Sequence, residues 1–320
     1  MQKRFFLQAL LLGTCLCATL SFAQTKPLEW VIGYPAGGGS DIVGRVIAEE
    51  LGKSLNRPII INNKPGAGTN IAADYVARSK DVGNLIFTAD FATLAANPYL
   101  FSKLSYNSEK DFQSIGMLVR FPMFLVVSNQ VPANTYKEFV AWAKAQANGV
   151  SYGSAGPGSP HHLIGEYFRE KSGLNLVHIA YKGAAPAIQD VVGNQIPAMW
   201  IDSATALPFI NGKKIKVIGV ASPKRLDLMP EIATFNEQGL KGFEGYAWQG
   251  LVAPAATAPE QMAEFSKALQ TALNSTPVKA RMQALGVETM PGTPEQMTKF
   301  VVSERAKWGE VITKIGVKLD

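Results

Sequence analysis

Short apolar runs in the first third of the chain alternate with segments whose apolar residues recur at helical spacing. Short continuous apolar runs are typical of buried strands, and a period of about 3.6 residues is typical of helices that face a core. We therefore predict three strands and two helices in the order βαβαβ. The strands are predicted near Trp30–Gly33, Pro58–Asn62 and Leu85–Thr88, and the helices at Ile42–Leu51 and Asn70–Arg78.

The same order of elements returns in the middle of the chain. The predicted strands are Val150–Gly153, Leu176–Ile179 and Ala198–Ile201, and the helices are His162–Lys171 and Ala187–Val192. Helices that alternate with short apolar strands favour parallel sheets, which bind ligands at the carboxyl ends of their strands. We therefore predict an α/β protein of two domains, each a mostly parallel βαβαβ sheet with flanking helices, and a ligand cleft between them.

Two apolar segments are predicted to connect the domains. Phe121–Ser128 joins the two halves and is predicted as a hinge strand, and the return crossing is predicted near Gly245–Ala253. Domain 1 is therefore expected to comprise residues 24–123 and 248–320, and domain 2 residues 124–247.

The chain from Thr257 onward has helical signals. Pro259 and Pro294 each stand at the first turn of an amphipathic segment, a position that proline favours because its ring fixes φ for a helix and no N–H is needed there. We expect these C-terminal helices to pack back onto domain 1.

The glycine-rich stretch Tyr34–Asp41 (YPAGGGSD) runs from the first predicted strand directly into a helix. Three successive glycines leave the backbone N–H groups open to close approach, at the positive end of a helix dipole. This stretch therefore predicts a site for an anionic oxygen. A second glycine-rich stretch, Ser154–Pro160 (SAGPGSP), holds the equivalent place in the other half. The alternative is that both loops are tight turns that bind nothing.

Residues 1–23 have the pattern of a secretory signal peptide. Lys3 and Arg4 form a basic start, Leu7–Leu20 is apolar but short for a membrane span, and Ser21–Ala23 offers small residues for cleavage. We therefore expect a cleaved signal peptide and a periplasmic location.

The two cysteines of the chain, Cys15 and Cys17, both lie in this segment. A lipoprotein acylated at either cysteine is the alternative; otherwise the mature chain has no thiol, disulfide or cysteine–metal site. Removing the two cations of the signal lowers the net charge of +6 to about +4. No basic cluster or second long apolar run follows, so neither nucleic-acid binding nor a membrane span is predicted.

Motifs for catalysis and cofactor binding are incomplete. The first loop lacks the GK[ST] of a P-loop and the third spaced glycine of a dinucleotide fingerprint. Ser154 lies in a stretch similar to a nucleophile elbow, but Tyr152 stands where GxSxG requires glycine. His161 and His162 are adjacent, so on a helix they point in different directions and do not clamp one metal. We predict no enzyme activity, no catalytic residues, no metal and no cofactor; a secreted hydrolase is the less favoured alternative.

Five segments, in order along the chain, resemble one family. They read WVIGYPAGGGSDIVGR, IINNKPGAGTNIAADYVA, YGSAGPGSPHHLIGEYF, HIAYKGAAPAIQDVVGNQIPAM and VASPKRLDLMPEIATFNEQGL. They are similar to the extracytoplasmic substrate receptors of tripartite tricarboxylate transporters, the Bug or TctC-like family, over essentially the whole mature chain. The resemblance implies a two-domain periplasmic binding fold of type II (a Venus flytrap) that closes on small carboxylates and serves membrane permease subunits driven by an ion gradient.

The resemblance also implies where the ligand is held. The family's two carboxylate-binding loops match residues 35–41 and 154–159, which would bind through backbone N–H groups, hydroxyls and ordered water rather than through an arginine. The Tyr-Lys-Gly motif matches residues 181–183. The ligand-binding residues that we predict are Tyr34, Gly37, Gly38, Gly39, Ser40, Asp41, Asp90, Phe91, Ser154, Gly156, Gly158, Ser159, His162, Tyr181 and Asp202.

Four positions depart from the family pattern or have a purely structural alternative. Asp90 follows the third strand where many relatives carry small hydroxyl residues; it either pairs with a surface lysine or binds an ammonium or hydroxyl of the ligand. Asp41 is expected to cap its helix rather than to contact the ligand. Trp200 is expected in the core, and Lys182 in a solvated loop.

The identity of the ligand stays open between several acids. A dicarboxylate of four to six carbons follows from the resemblance, whereas Tyr34, Phe91 and Trp200 favour an aromatic acid and Asp90 favours an amino or hydroxy acid. The protein is expected to be a monomer. Its partner is a transporter permease or, alternatively, a signalling sensor.

Overall fold

The computed structural model describes residues 26–319, so the predicted signal peptide and both cysteines lie outside the described residues. The first half contains β1 (Leu28–Ile32), α1 (Gly39–Ser54), β2 (Ile59–Asn63), α2 (Asn70–Ala77) and β3 (Leu85–Asp90). All five elements predicted for this half are confirmed, with ends that differ by a few residues. A π-helical turn (Ala92–Ala96) and the short helix α3 (Asn97–Leu100) follow β3.

The second half is confirmed in the same way. After β4 (Phe112–Ser128) and α4 (Tyr136–Lys144), the chain forms β5 (Val150–Ser154), α5 (Pro160–Ser172), β6 (Leu176–Ala180), α6 (Ala184–Val192) and β7 (Ala198–Asp202). The sequence does not predict α4, nor α7 (Ser203–Asn211) and β8 (Ile215–Val220), which follow β7.

The remaining elements return to the first half. They are β9 (Tyr246–Pro254), α8 (Pro259–Asn274), α9 (Thr276–Ala284), β10 (Glu288–Thr289) and α10 (Pro294–Ile315). Proline occupies the first turn of α8 and α10 as predicted. Thr293 and Gln296 form a capping box at the start of α10, in which each side chain bonds the backbone N–H of the other. Helix α8 packs against α1 and β4, and α10 packs against β4 and the π-helical turn.

The strands among the described residues form a mixed sheet in the order β2-β1-β3-β9-β4-β7-β5-β6, with β8 and β10 beside β4. Strands β2, β1 and β3 are parallel to one another, and so are β6, β5 and β7. The two parallel βαβαβ units are therefore confirmed. Between them lie antiparallel pairs made by β9 and β4, which the sequence predicts only as connections.

Strand β4 is long because it serves both parallel units. Its residues 112–122 pair with β9, and its residues 123–127 pair with β7. The predicted hinge strand Phe121–Ser128 thus forms the second part of a strand that begins at Phe112. The division of the chain into two domains at residues 123 and 248 stays a prediction.

Large aromatic side chains fill the core around both units. Trp200 is fully buried and lies in a cluster with Phe168, Phe235 and Phe243, with ring centroids 5.3 to 5.6 Å from its own. Trp200 is thus a core residue, as predicted from the sequence. No helix within residues 26–319 is long and apolar enough to cross a membrane.

Candidate ligand-binding site

One cavity lies where the carboxyl ends of strands from both parallel units meet. Its volume is about 80 Å³. It is lined by Tyr34, Pro35, Ala36, Gly38, Gly39, Ser40, Asp90, Phe121, Ala155, Pro160, His161, Gly183, Ala184, Ala185, Pro186, Asp202, Ala247, Trp248 and Gln249. The location agrees with the rule that α/β sheets bind ligands beyond the carboxyl ends of their strands.

Four helices begin at this cavity, and two of them have no side-chain cap. Ser159 caps α5 and Asp202 caps α7, whereas α1 begins after Gly38 and α6 after Gly183 without a side-chain hydrogen bond. The first N–H groups of a helix have no partner inside the helix and carry its positive partial charge. Helices α1 and α6 therefore present free N–H donors to the cavity, one helix from each parallel unit.

The two uncapped helix starts lie close together. A Cβ atom on Gly183 would be 3.1 Å from Cγ of Pro35, in the loop that leads to α1. The φ angle of Gly183 is +117°, a conformation that a residue with a side chain rarely adopts. Glycine at this position therefore allows the two loops to approach across the cavity.

Asp90 lies at the end of β3 and is held by three hydrogen bonds. Its Oδ1 accepts from the backbone N–H and the hydroxyl of Thr93, both at 3.0 Å, and its Oδ2 accepts from the Tyr34 hydroxyl at 2.7 Å. Burial raises the pKa of Asp90, and the hydrogen bonds of Thr93 and Tyr34 partly offset that rise. Burial, followed by the charge of Asp90, also raises the pKa of Tyr34 well above its usual value.

Asp202 lies at the equivalent end of β7. Its Oδ1 accepts from the backbone N–H of Thr205 at 2.9 Å, and both carboxylate oxygens lie within 3.0 Å of the Thr205 hydroxyl. Its Oδ2 is 3.3 Å from Nε2 of His161. Asp202 also stands against the start of α1, because a Cβ atom on Gly39 would be only 2.3 Å from its Oδ1.

The cavity lining contains the carboxylates of Asp90 and Asp202, and His161 lies beside the second of them. Among the described residues that line it, none is lysine or arginine. Gln249 is buried on β9, and its Nε2 donates to the hydroxyl of Ser40 on α1. The helix N-termini therefore supply positive partial charge to the lining without a lysine or arginine.

The second glycine loop uses its own N–H groups internally. The N–H of Gly156 donates to the Ser154 hydroxyl at 3.1 Å, and the N–H of Gly158 donates to Nδ1 of His162 at 3.1 Å. The Ser154 hydroxyl lies 2.6 Å from Nε2 of His178. The free donors that the second parallel unit offers to the cavity thus belong to α6 rather than to this loop.

The structure brings six of the predicted site residues together in the cavity lining: Tyr34, Gly38, Gly39, Ser40, Asp90 and Asp202. Three others, Gly156, Ser159 and Tyr181, line a neighbouring cavity, which shares Tyr34, Pro35, Ala155 and Gly183 with the first. The remaining six, Gly37, Asp41, Phe91, Ser154, Gly158 and His162, lie outside both linings.

Phe91 and Asp41, two of these six, contact other parts of the protein instead of the cavity. Phe91 is fully buried, and its ring meets the ring of Trp308 edge-on at a centroid distance of 4.8 Å. Asp41 accepts the N–H of Gly37 at 3.0 Å and pairs with Arg45. Although burial favours the neutral acid, the hydrogen bonds from Arg45 and Gly37 hold the pKa of Asp41 below its usual value. Asp41 thus holds the first glycine loop through Gly37, outside the cavity lining.

The sequence predictions miss several residues of the cavity wall. Gln249 and Trp248 lie on β9, which pairs with β3 so that Asp90 and Gln249 are neighbours across the two strands. Residues 184–186 form the first turn of α6. The sequence does contain a pattern that indicates the start of α6, because Tyr181–Pro186 follows a predicted strand and places Gly183 just before the helix. No local signal identifies Gln249, which reaches the cavity only through strand pairing.

Comparisons with known proteins point to one family. The profile described as "Tripartite tricarboxylate transporter family receptor" matches residues 43–317. A UPF0065 protein from Agrobacterium vitis, from the TAR-I ttuE-ttuC′ intergenic region, is 30% identical over 99% of this chain and 92% of its own length. Protein BugT from Bordetella pertussis is 28% identical over 92% of this chain and 90% of its own length.

Solved structures give the same result. The periplasmic binding protein BugD has a TM-score of 0.86 and 33% identity, over 91% of this chain and 98% of that chain. Rpa4515 of R. palustris, solved with adipate, has a TM-score of 0.88 and 25% identity over 91% and 98%. MatC from Rhodopseudomonas palustris, solved with bound malate, has a TM-score of 0.85 and 29% identity over 89% and 98%.

Proposed function

This chain belongs to the tripartite tricarboxylate transporter receptor family, and from that premise we propose that it captures a small organic carboxylate in the periplasm and delivers it to the membrane subunits of a tripartite transporter. The family and its solved structures are periplasmic binding proteins. Our proposal concerns the class of ligand and the membrane partner of this chain.

The observation that carries the proposal is the pair of uncapped helix starts that face one cavity. Helices α1 and α6 have no side-chain cap, and residues 38–40 and 183–186 at their starts line the same space. Each terminus suits an anionic oxygen, since backbone N–H groups and the helix dipole both favour negative charge there. A carboxylate that bonds both termini would link the two parallel units.

The absence of lysine and arginine from the described lining supports reversible binding. A buried cation without its partner is costly, because desolvation is uncompensated whenever the cavity is empty. Backbone N–H groups hold an anion without that cost. The adipate in Rpa4515 and the malate in MatC are small carboxylates, the class of ligand proposed here.

The geometry favours binding over catalysis. Ser154, the residue in the stretch similar to a nucleophile elbow, has no exposed surface and lies outside the cavity lining. Its hydroxyl is engaged with His178 and with the carbonyl of Gly156. A nucleophile in this position does not reach a ligand in the cavity.

Contacts across the cavity would make closure the signal that the membrane partner reads. Pro35 contacts Gly183, and Gly39 contacts Asp202, so each pair joins residues of the two proposed domains. A ligand that bonds both helix starts favours the state in which these pairs touch. By population shift, the liganded receptor then differs in shape from the empty one.

A thermal-shift screen of residues 24–320, unfolded and refolded to remove any ligand carried through purification, tests the proposal. The panel contains aliphatic dicarboxylates, hydroxy acids, amino acids and aromatic carboxylates. At 100 times its dissociation constant, a ligand stabilises the folded state by about 2.7 kcal/mol, which raises the melting temperature by several degrees. A shift confined to one chemical class supports the proposal, and the absence of a shift with every acid contradicts it.

A further inference from the structure

Asp90 and Gln249 are direct neighbours across the β3–β9 pair, and both line the cavity. They are 2% and 4% exposed, so bulk solvent reaches little of either side chain. Buried polar atoms in folded proteins nearly always have hydrogen-bond partners. A polar atom in this wall that lacks a protein partner is therefore a position that a ligand group can bond.

Asp90 retains one open acceptor position. A carboxylate offers about four acceptor positions, two on each oxygen. Thr93 fills both positions on Oδ1, and Tyr34 fills one on Oδ2. No other described residue donates to the second position on Oδ2. Asp202 also has three neighbouring groups, namely the N–H and the single hydroxyl of Thr205 and Nε2 of His161. The two carboxylates differ in their strand partners, because Asp90 faces Gln249 across the strand pair and Asp202 faces Met123.

Gln249 supplies a further acceptor in the same wall. Its Nε2 donates to the hydroxyl of Ser40, whereas its Oε1 is buried and has no partner among the described residues.

We propose that the carboxylate ligand also carries an ammonium group, and that Asp90 and Gln249 bind this group. This inference rests on the proposed function and names the substrate class of the same site, an amino acid or a related amino-carboxylate. An ammonium has three donors and a positive charge, which match the open acceptors and the charge of Asp90. The ligand's carboxylate lies at the starts of α1 and α6, and its ammonium lies toward β3 and β9.

The charges in the cavity oppose a plain dicarboxylate. A second carboxylate near Asp90 would place two like charges in a buried space with no lysine or arginine in the described lining. A hydroxyl supplies only one donor and no charge, so a hydroxy acid satisfies the wall only in part. Asp90 is therefore the residue that sets the preference among acids of equal length.

Matched sets of acids test this inference. Succinate, malate and aspartate share one carbon skeleton and differ only in a hydrogen, hydroxyl or ammonium; glutarate, 2-hydroxyglutarate and glutamate form the five-carbon set, and adipate, 2-hydroxyadipate and 2-aminoadipate the six-carbon set. Dissociation constants are measured by calorimetry on the mature protein. The amino acid of the best-bound set is expected to bind at least about tenfold more tightly than the unsubstituted acid, since hydrogen bonds to charged groups are the stronger ones.

Asp90→Asn removes the charge and retains the shape of the side chain. In this variant the preference for the amino acid over the unsubstituted acid is expected to fall about tenfold or more. Asp74→Asn is the matched control, because Asp74 lies on α2, outside the cavity lining, and pairs with Arg78 on the surface. Gln249→Met, on the other strand, is a second variant and is expected to reduce the same preference.

The outcomes separate the inference from the proposed function. If the unsubstituted acid binds as tightly as the amino acid, or if Asp90→Asn and Gln249→Met both keep the wild-type preference, the inference is wrong and the carboxylate receptor stands. If no member of any set binds, the proposed function and the inference both fail.

Discussion

Asp90 and Asp202 hold equivalent positions in the two parallel units and make the same local contacts. Each is the last residue of its strand, and the Oδ1 of each accepts the backbone N–H and the hydroxyl of the threonine three residues later, Thr93 or Thr205. The sequences DFAT and DSAT place the two sets in register. Each carboxylate is thereby fixed at the same cavity, one from each unit.

Gly39→Ala is expected to weaken ligand binding. The added Cβ would lie 2.3 Å from Oδ1 of Asp202, whose carboxylate is tied to Thr205 and His161 and cannot easily move away. Such overpacking costs about 1 to 3 kcal/mol, which corresponds to a loss of about tenfold or more in affinity if it keeps the two units apart. Calorimetry with the best-bound acid measures the change.

Gly193→Ala is the control for this substitution. Gly193 follows the last residue of α6 and lies outside both cavity linings, and its φ angle is −76°, which alanine adopts without strain. The nearest atom to its Cβ would be the Gln189 carbonyl oxygen at 3.3 Å. Its affinity is expected to stay close to that of the wild type, and equal losses in both variants would show that the contact with Asp202 does not decide binding.

Asp202→Ala is expected to destabilise the protein. The substitution removes the cap of α7, and loss of an N-cap costs about 1 kcal/mol. Asp202→Asn retains an oxygen that accepts from Thr205 and is expected to lose less. Urea unfolding of the unliganded protein measures both, and an alanine variant as stable as the wild type would exclude the capping role.

The stacked pair His162 and His178 predicts a loss of stability in mild acid. Their rings lie 3.9 Å apart, and burial lowers the pKa of His162 to about 3 and that of His178 to about 4. Below pH 6.5 the unfolded chain takes up protons that the folded protein does not. The free energy of unfolding is therefore expected to fall between pH 6.5 and about 4, by up to about 1.4 kcal/mol per pH unit for each histidine.

Two neighbouring charges bear on this pair: Glu166 raises the pKa of His178, and Arg169 lowers that of His162. The control is His178→Gln, which retains a group that bonds Ser154 but does not titrate. Urea unfolding between pH 5 and 7 is expected to show a smaller slope for this variant. An identical slope would mean that the histidine pair is not the cause.

Most of the fold follows from local pattern. The ten elements of the two βαβαβ units are predicted because each strand is a short apolar run next to a segment of helical period. Strand β1 (Leu28–Ile32) is one example. The length of β4 is not predicted, since residues 112–120 contain Gln113, Ser114 and Gly116 and resemble no continuous strand. Its pairing with β9 and β7 arises from contacts distant in sequence.

The candidate site divides in the same way. Residues 34–41 and Asp202 are recognisable because glycine loops and strand ends are local features. Phe91 follows a strand end too, but its ring turns into the core against Trp308, which a local pattern does not reveal. The N–H groups of Gly156 and Gly158 are bonded within the protein, whereas the start of α6 has no side-chain cap. The sequence does not reveal this difference, because the bonding partners, such as His162, are set by the folded structure.

The central claim is that helix N-termini bind a carboxylate, and the most direct test compares an acid with its amide. The best-bound acid of the screen and its primary amide at each carboxyl are titrated into the mature protein by calorimetry. The account predicts that one amide binds at least about tenfold more weakly, because a neutral amide loses the charge that the N–H groups of α1 and α6 favour. Equal affinity of the acid and every amide would contradict it.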